Sequence, residues 1–147
     1  MQQLDAYADI DASPERVWVV LTDFARYADW NPFIIRASGE LREGERLTVT
    51  LRVPGTRPVT FRPRLLAVRP NREIRWRGTT VLPGLFDGVH ALTVEPLGEG
   101  RTRFRTHEDV TGVLLPLLGG VMRRTQLGFE LLARAVKERA EAPVQRA

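Results

Sequence analysis

The sequence predicts an α+β fold: a curved antiparallel sheet of about seven strands around a long C-terminal helix, with two short helices after the first strand. Three observations carry that expectation. Between residues 33 and 111 apolar and polar side chains alternate with a period of two, punctuated by glycine and proline. From residue 117 to about 140 the period becomes helical, with one apolar stripe. Ahead of both lies one alternating segment followed by helix-start signals. A single amphipathic helix beside such a sheet buries its stripe against the concave face.

The first segment, Gln3 to Asp11, sets Leu4, Ala6, Ala8 and Ile10 on one side and Gln3, Asp5, Tyr7, Asp9 and Asp11 on the other. Ser13-Pro14-Glu15-Arg16 reads as a helix start: serine caps, proline suits the first position, and acidic residues suit the positive end of the dipole. Val17, Trp18, Val20 and Leu21 form that helix's buried face. A second short helix runs from Asp23 to Trp30 and is stopped by Asn31-Pro32, a structural hinge into the next strand. Six strands are expected at Phe33–Ala37, Arg46–Val53, Val59–Val68, Glu73–Thr79, Val89–Leu97 and Arg101–Val110. Their short connections imply an antiparallel meander. In the last helix Leu118, Val121, Met122, Thr125, Phe129, Leu132 and Val136 share one face, opposite Arg123, Glu130, Arg134 and Lys137. Leu127 and Leu131 fall outside the stripe, where they meet a loop or a partner. Residues 1–142 are expected to form one domain, with 143–147 a frayed tail.

Composition excludes several classes. At 147 residues, with 43% hydrophobic and 27% charged residues, the chain is neither a disordered tail nor a membrane protein. The longest apolar stretch, Val113 to Met122, falls well short of the roughly 20 residues a spanning helix needs. The start of the chain lacks a signal-peptide pattern, so a cytoplasmic location is the default. There is no cysteine, hence no disulfide, thiol nucleophile or Cys-based metal site, and only two histidines. No metal or other cofactor is expected. Lys and Arg outnumber Asp and Glu by 22 to 18, and all the basic residues but Lys137 are arginine. They are spread along the chain, which points to a solvated surface and no nucleic-acid partner. Arg62, Arg64, Arg75, Arg77, Arg103 and Arg105 fall on the outward face of the sheet as a basic surface, which keeps it soluble and unable to stack or, in the alternative, meets an anionic partner.

The most informative polar pair is His90 and Glu108. With Gly98-Glu99-Gly100 as a hairpin tip, Val94 opposes Phe104, Leu92 opposes Thr106 and His90 opposes Glu108. All six share one face by parity, the apolar and therefore inward one. Opposed Cβ atoms lie about 4.5–5.5 Å apart, within reach for imidazole and carboxylate. In one reading the two satisfy each other inside an apolar wall. In another they form the polar end of a pocket and meet a ligand carbonyl, hydroxyl or carboxylate. In a third His90 moves a proton and Glu108 orients it. Trp76, Phe61 and Leu65 line the interior from neighbouring strands, and Val121, Thr125 and Phe129 face it from the last helix. The connections after Val53 and Thr79, and from Val110 into the last helix, gather at one end. Two of them, Val81-Leu82-Pro83-Gly84-Leu85-Phe86 and Val113-Leu114-Leu115-Pro116-Leu117-Leu118, are apolar enough to rim an entrance.

Leu21-Thr22-Asp23-Phe24-Ala25-Arg26-Tyr27-Ala28-Asp29-Trp30-Asn31-Pro32-Phe33 resembles the early motif of the SRPBCC superfamily, which includes START-type lipid carriers and polyketide cyclase/dehydratase relatives. Phe86-Asp87-Gly88-Val89-His90, and His107-Glu108 with Leu114-Leu115-Pro116-Leu117-Leu118, resemble its later motifs. The resemblance implies a helix-grip fold around a cavity for an apolar or amphipathic small molecule. It implies binding, transport or sensing first. The alternative is a cyclase/dehydratase-type enzyme in which His90 and Glu108 promote proton transfer on a bound carbonyl compound. Neither stable membrane insertion nor an assembly beyond a monomer or weak homodimer is expected.

Overall fold

A computed structural model describes residues 1–79, 84 and 87–143. The elements in chain order are β1 (Gln2–Ile10), α1 (Pro14–Thr22), a 3-10 turn (Phe24–Arg26) running into α2 (Tyr27–Trp30), and β2 (Ile34–Ser38). There follow β3 (Thr48–Leu51), β4 (Val59–Phe61), β5 (Arg64–Arg69), β6 (Glu73–Thr79), β7 (Asp87–Gly98) and β8 (Arg101–Thr111). A second 3-10 turn (Leu115–Leu117) leads into α3 (Gly119–Glu141).

There are eight strands where seven were expected. The strand predicted over Val59–Val68 breaks into β4 and β5 around Pro63, which lacks the N–H a continuous ladder needs. The strands also divide into two antiparallel sheets, ordered β1-β8-β7-β6-β5 and β2-β3-β4, linked by one bridge between Arg46 and Arg64. The meander thus holds from β5 to β8, while β1 pairs with the last strand along its whole length, Gln2 against Val110 through Ile10 against Thr102.

Local chemistry fixes the helices. Ser13 Oγ accepts the Arg16 N–H at 3.1 Å, with Pro14 opening α1 as expected. Tyr27 is buried, packs edge-on against Phe24 and Trp30, and donates its hydroxyl to the Leu21 carbonyl. Asn31 Oδ1 accepts the N–H groups of Phe33 and Ile34 at 3.0 and 2.8 Å, turning the chain from α2 into β2. This is the hinge read from Asn31-Pro32.

The buried residues of α3 are Met122, Thr125, Gly128, Phe129, Leu132, Ala133, Val136 and Ala140. Val121, expected in the stripe, is instead 39% exposed. The helix clamps the free edge of β1. The Gln126 side-chain amide donates to the Asp5 carbonyl and accepts the Asp5 N–H, and Lys137 donates to the Asp9 carbonyl. Across the outer face of β1 and β8, Arg103 pairs with Asp9, Arg101 with Asp11, and His107 lies between Asp5 and Asp109. Arg75 pairs with Glu73 and Arg105 approaches Asp5. Much of the face read as basic is therefore a ladder of mixed charge.

Gly128 admits the closest approach of helix to sheet. A Cβ there would lie 2.5 Å from Phe33 Cδ1 and 3.4 Å from Pro54 Cδ. Phe33 is fully buried and edge-on to Phe129, so it has nowhere to retreat. Gly128→Ala is expected to destabilise the fold by about 1–3 kcal/mol despite the gain in helix propensity of up to about 1 kcal/mol. Urea unfolding of the two proteins measures the difference.

Candidate functional site

The β7–β8 register matches the hairpin reading: His90 opposes Glu108, Leu92 opposes Thr106 and Val94 opposes Phe104. The side chains of the polar pair nevertheless part. His90 Nε2 is hydrogen-bonded to Thr106 Oγ1 at 2.7 Å, and no hydrogen bond or ion pair to Glu108 is found among the described residues. Glu108 leans along β8 over Gly88, where an added Cβ would collide with Oε1. The strand expected to begin at Val89 begins at Asp87, which puts Gly88 inside it and makes it a point of close approach that the sequence reading missed.

His90 is enclosed by rings. It stacks on Phe129 with centroids 4.9 Å apart at 12°, and meets Trp76, its neighbour across β6–β7, edge-on at 5.1 Å. Burial drives its imidazole down to about 3, with a smaller push from His107, so it is neutral near pH 7. Leu65, Leu92, Phe104 and Thr106 are likewise sealed, none more than 1% exposed. This half of the concave space is filled by side chains. Most of its polar atoms are engaged: the Thr106 hydroxyl is bonded to His90 Nε2 and Thr125 Oγ1 donates to the Val121 carbonyl.

Toward the ends of β6, β8 and β4 the enclosure loosens. Phe61 is partly exposed and its ring lies against Gly78, where a Cβ would sit 2.9 Å from Cε2. Val59 shares Phe61's face two residues earlier and is 59% exposed. Sequence reasoning missed it, although its parity with Phe61 gave the signal. Glu108 is partly exposed as well. Its carboxyl is pushed up to about 7, chiefly by burial, with His107 opposing and Asp109 reinforcing the rise. The expected convergence of loops at this end holds for what is described: Val113 N–H donates to the Gly84 carbonyl, Thr79 pairs with Asp87, and Asp87 with Thr111. Val113, Leu114, Leu117 and Val121 are exposed here. The other apolar connection, Val81 to Phe86, lies outside the described residues apart from Gly84.

Two surface grooves lie elsewhere. One of about 430 Å³ runs between α1 and the end of α3, lined by Arg16, Arg26 and Trp30 among others, and one of about 500 Å³ lies between β1 and α3. Neither includes His90 or Glu108. Among the described residues no cluster of three metal-ligating side chains occurs, and no helix is long and apolar enough to cross a membrane.

A long helix gripped by a curved antiparallel sheet, with polar groups on the inner wall, defines the START-type helix-grip class. The chain belongs to the family described as polyketide cyclase/dehydrase and lipid transport, whose model matches residues 1–142. Its fold is similar to a START superfamily protein from Mycobacterium smegmatis, at 21% identity, 95% coverage of this chain and 97% of that one, and TM-score 0.71. It is similar to the Zhui aromatase/cyclase from Streptomyces sp. R1128, at 20% identity, 95% and 93% coverage and TM-score 0.72. The di-domain aromatase/cyclase BexL shares 17% identity over 96% of this chain and 47% of its own, at TM-score 0.70. No curated protein matches the sequence.

The two inward ionisable groups tilt stability in opposite directions. Glu108 binds its proton more tightly when folded, so its contribution is present below about pH 4.5 and is lost as pH rises to about 7. Glu108→Gln is expected to abolish that loss, on the order of 2–3 kcal/mol, and to be more stable than the wild type at pH 8. His90 resists protonation when folded, so stability falls as pH drops from 6.5 toward about 3. His90→Phe is expected to flatten that acid limb, at about 1 kcal/mol for the orphaned Thr106 hydroxyl at neutral pH. Denaturant titrations from pH 3 to 8 check both.

Proposed function

We propose that this protein binds an apolar or amphipathic small molecule at the loosened end of the space between sheet and α3, as a carrier or sensor. The observation that carries the reading is the gradient along the concave wall. It runs from the sealed His90–Phe129 stack to the partly exposed Phe61, Val59, Val121 and Glu108. Exposed apolar side chains facing a concave wall, beside one available polar group, are what a small-molecule site needs. Apolar contact supplies affinity and the carboxyl supplies orientation. Family membership supports the same reading, since lipid transport is part of the family's description.

A second reading, a cyclase/dehydratase-type enzyme, has one observation in its favour. A carboxyl near 7 is matched to proton exchange at neutral pH. The geometry favours Glu108 over His90 for that role, because His90 is closed in by rings and bonded to Thr106.

Mass spectrometry of solvent extracts from gently purified protein should find a stoichiometric apolar compound. Val121→Glu places a charge in the mouth at an exposed position, so it is expected to leave the melting temperature within about 2 °C and to weaken binding of an uncharged dye at least about tenfold. An empty extract together with no dye binding overturns the binding role.

A further inference from the structure

Resting on the binding role above, we infer that the site selects amphiphiles whose inner head group is a hydrogen-bond donor, an amine above all and then a hydroxyl, and discriminates against carboxylates. The argument comes from the polar inventory of the inner wall. Among the described residues, Glu108 and His90 are the only ionisable groups whose strand parity turns them inward on β7 and β8. His90 is bonded through Nε2 to Thr106 and closed in by the rings of Phe129 and Trp76, and Thr102 and Thr125 donate to the carbonyls of Ala12 and Val121. The Glu108 carboxyl has no such partner among the described residues.

No cation faces it either. Glu108 pairs across β1 with Leu4 and across β7 with His90, and leans over Gly88. From α3 the inward residues at this end are Met122 and Thr125. The nearest titratable neighbours along β8, His107 and Asp109, turn to the outer face, where they bond to each other, His107 also to Asp5. Along β7 and the described residues from 111 to 122 the sequence contains no Lys or Arg. Arg124, beside Gly55, stands at the outer margin.

A carboxylate ligand would therefore meet a carboxyl with no counter-ion, and one of the two would have to take up a proton. An ammonium supplies the missing cation, and a hydroxyl supplies a donor without charge. The raised Glu108 carboxyl agrees with this, since its ionised form lacks a partner in the protein alone.

The test is displacement of the uncharged dye Nile red at pH 7 and physiological salt by dodecylamine, dodecanol and dodecanoate, which share one chain length. Dodecylamine is expected to compete best and dodecanoate at least about tenfold more weakly, with Glu108→Gln reducing that gap to less than about threefold. Dodecanoate competing as well as dodecylamine against the wild type, or an undiminished gap in Glu108→Gln, overturns the selectivity and leaves the binding role standing. Failure of the dye and all three competitors to bind removes the binding role itself.

Discussion

The fold depends on the ring of Phe129. It meets Phe33, at the entrance to the β2-β3-β4 sheet, edge-on at 5.4 Å, and stacks on His90 of the five-stranded sheet at 4.9 Å. The two sheets meet in the backbone around the Arg46–Arg64 bridge, where Gly44 and Leu47 donate to the Leu65 and Pro63 carbonyls and Leu65 donates to the Glu45 carbonyl. Side-chain packing through α3 ties them a second time at Phe129. Gly128, one residue earlier, lets the helix come close enough for both contacts. In the first two turns of the same helix Met122 and Thr125 stay buried while Val121, beside them, is exposed.

That arrangement separates two polar groups set directly opposite each other on β7 and β8. His90, toward the centre, is enclosed by aromatic rings and neutral. Glu108, partly exposed, lies over a glycine and keeps a carboxyl near 7. Strand pairing alone would make them partners. The difference lies in rotamers and in what covers each: Phe129 and Trp76 hold the imidazole toward Thr106, and the bare backbone of Gly88 leaves room for the carboxyl to lean the other way.

Much of this was legible in the chain. The capped start of α1, the turn at Asn31-Pro32, the stripe of α3 and the β7–β8 register follow from local rules, each written within a few residues. The division into two sheets and the pairing of β1 with β8 were not legible, because closure between strands about a hundred residues apart leaves no local mark. The break at Pro63 was marked by the proline itself and read through. In the site, parity placed His90, Leu92, Phe104 and Thr106 on the inner wall. Which of them are sealed depends on how far α3 sinks between the sheets, a distance set by Gly128 and Phe33 together.

The clamp on β1 has a consequence for how copies of this chain meet. In its five-stranded sheet β1 is the terminal strand, and a terminal strand offers its outward N–H and C=O groups to any similar chain. Here the Gln126 carboxamide takes the place of a peptide unit at Asp5, and the Lys137 ammonium fills the carbonyl at Asp9. Only the rung at Tyr7 lies between them, too little for an incoming strand to register on. The helix that packs on the concave wall also guards this seam against edge-to-edge polymerisation, so crowding of the protein need not end in fibres grown from β1.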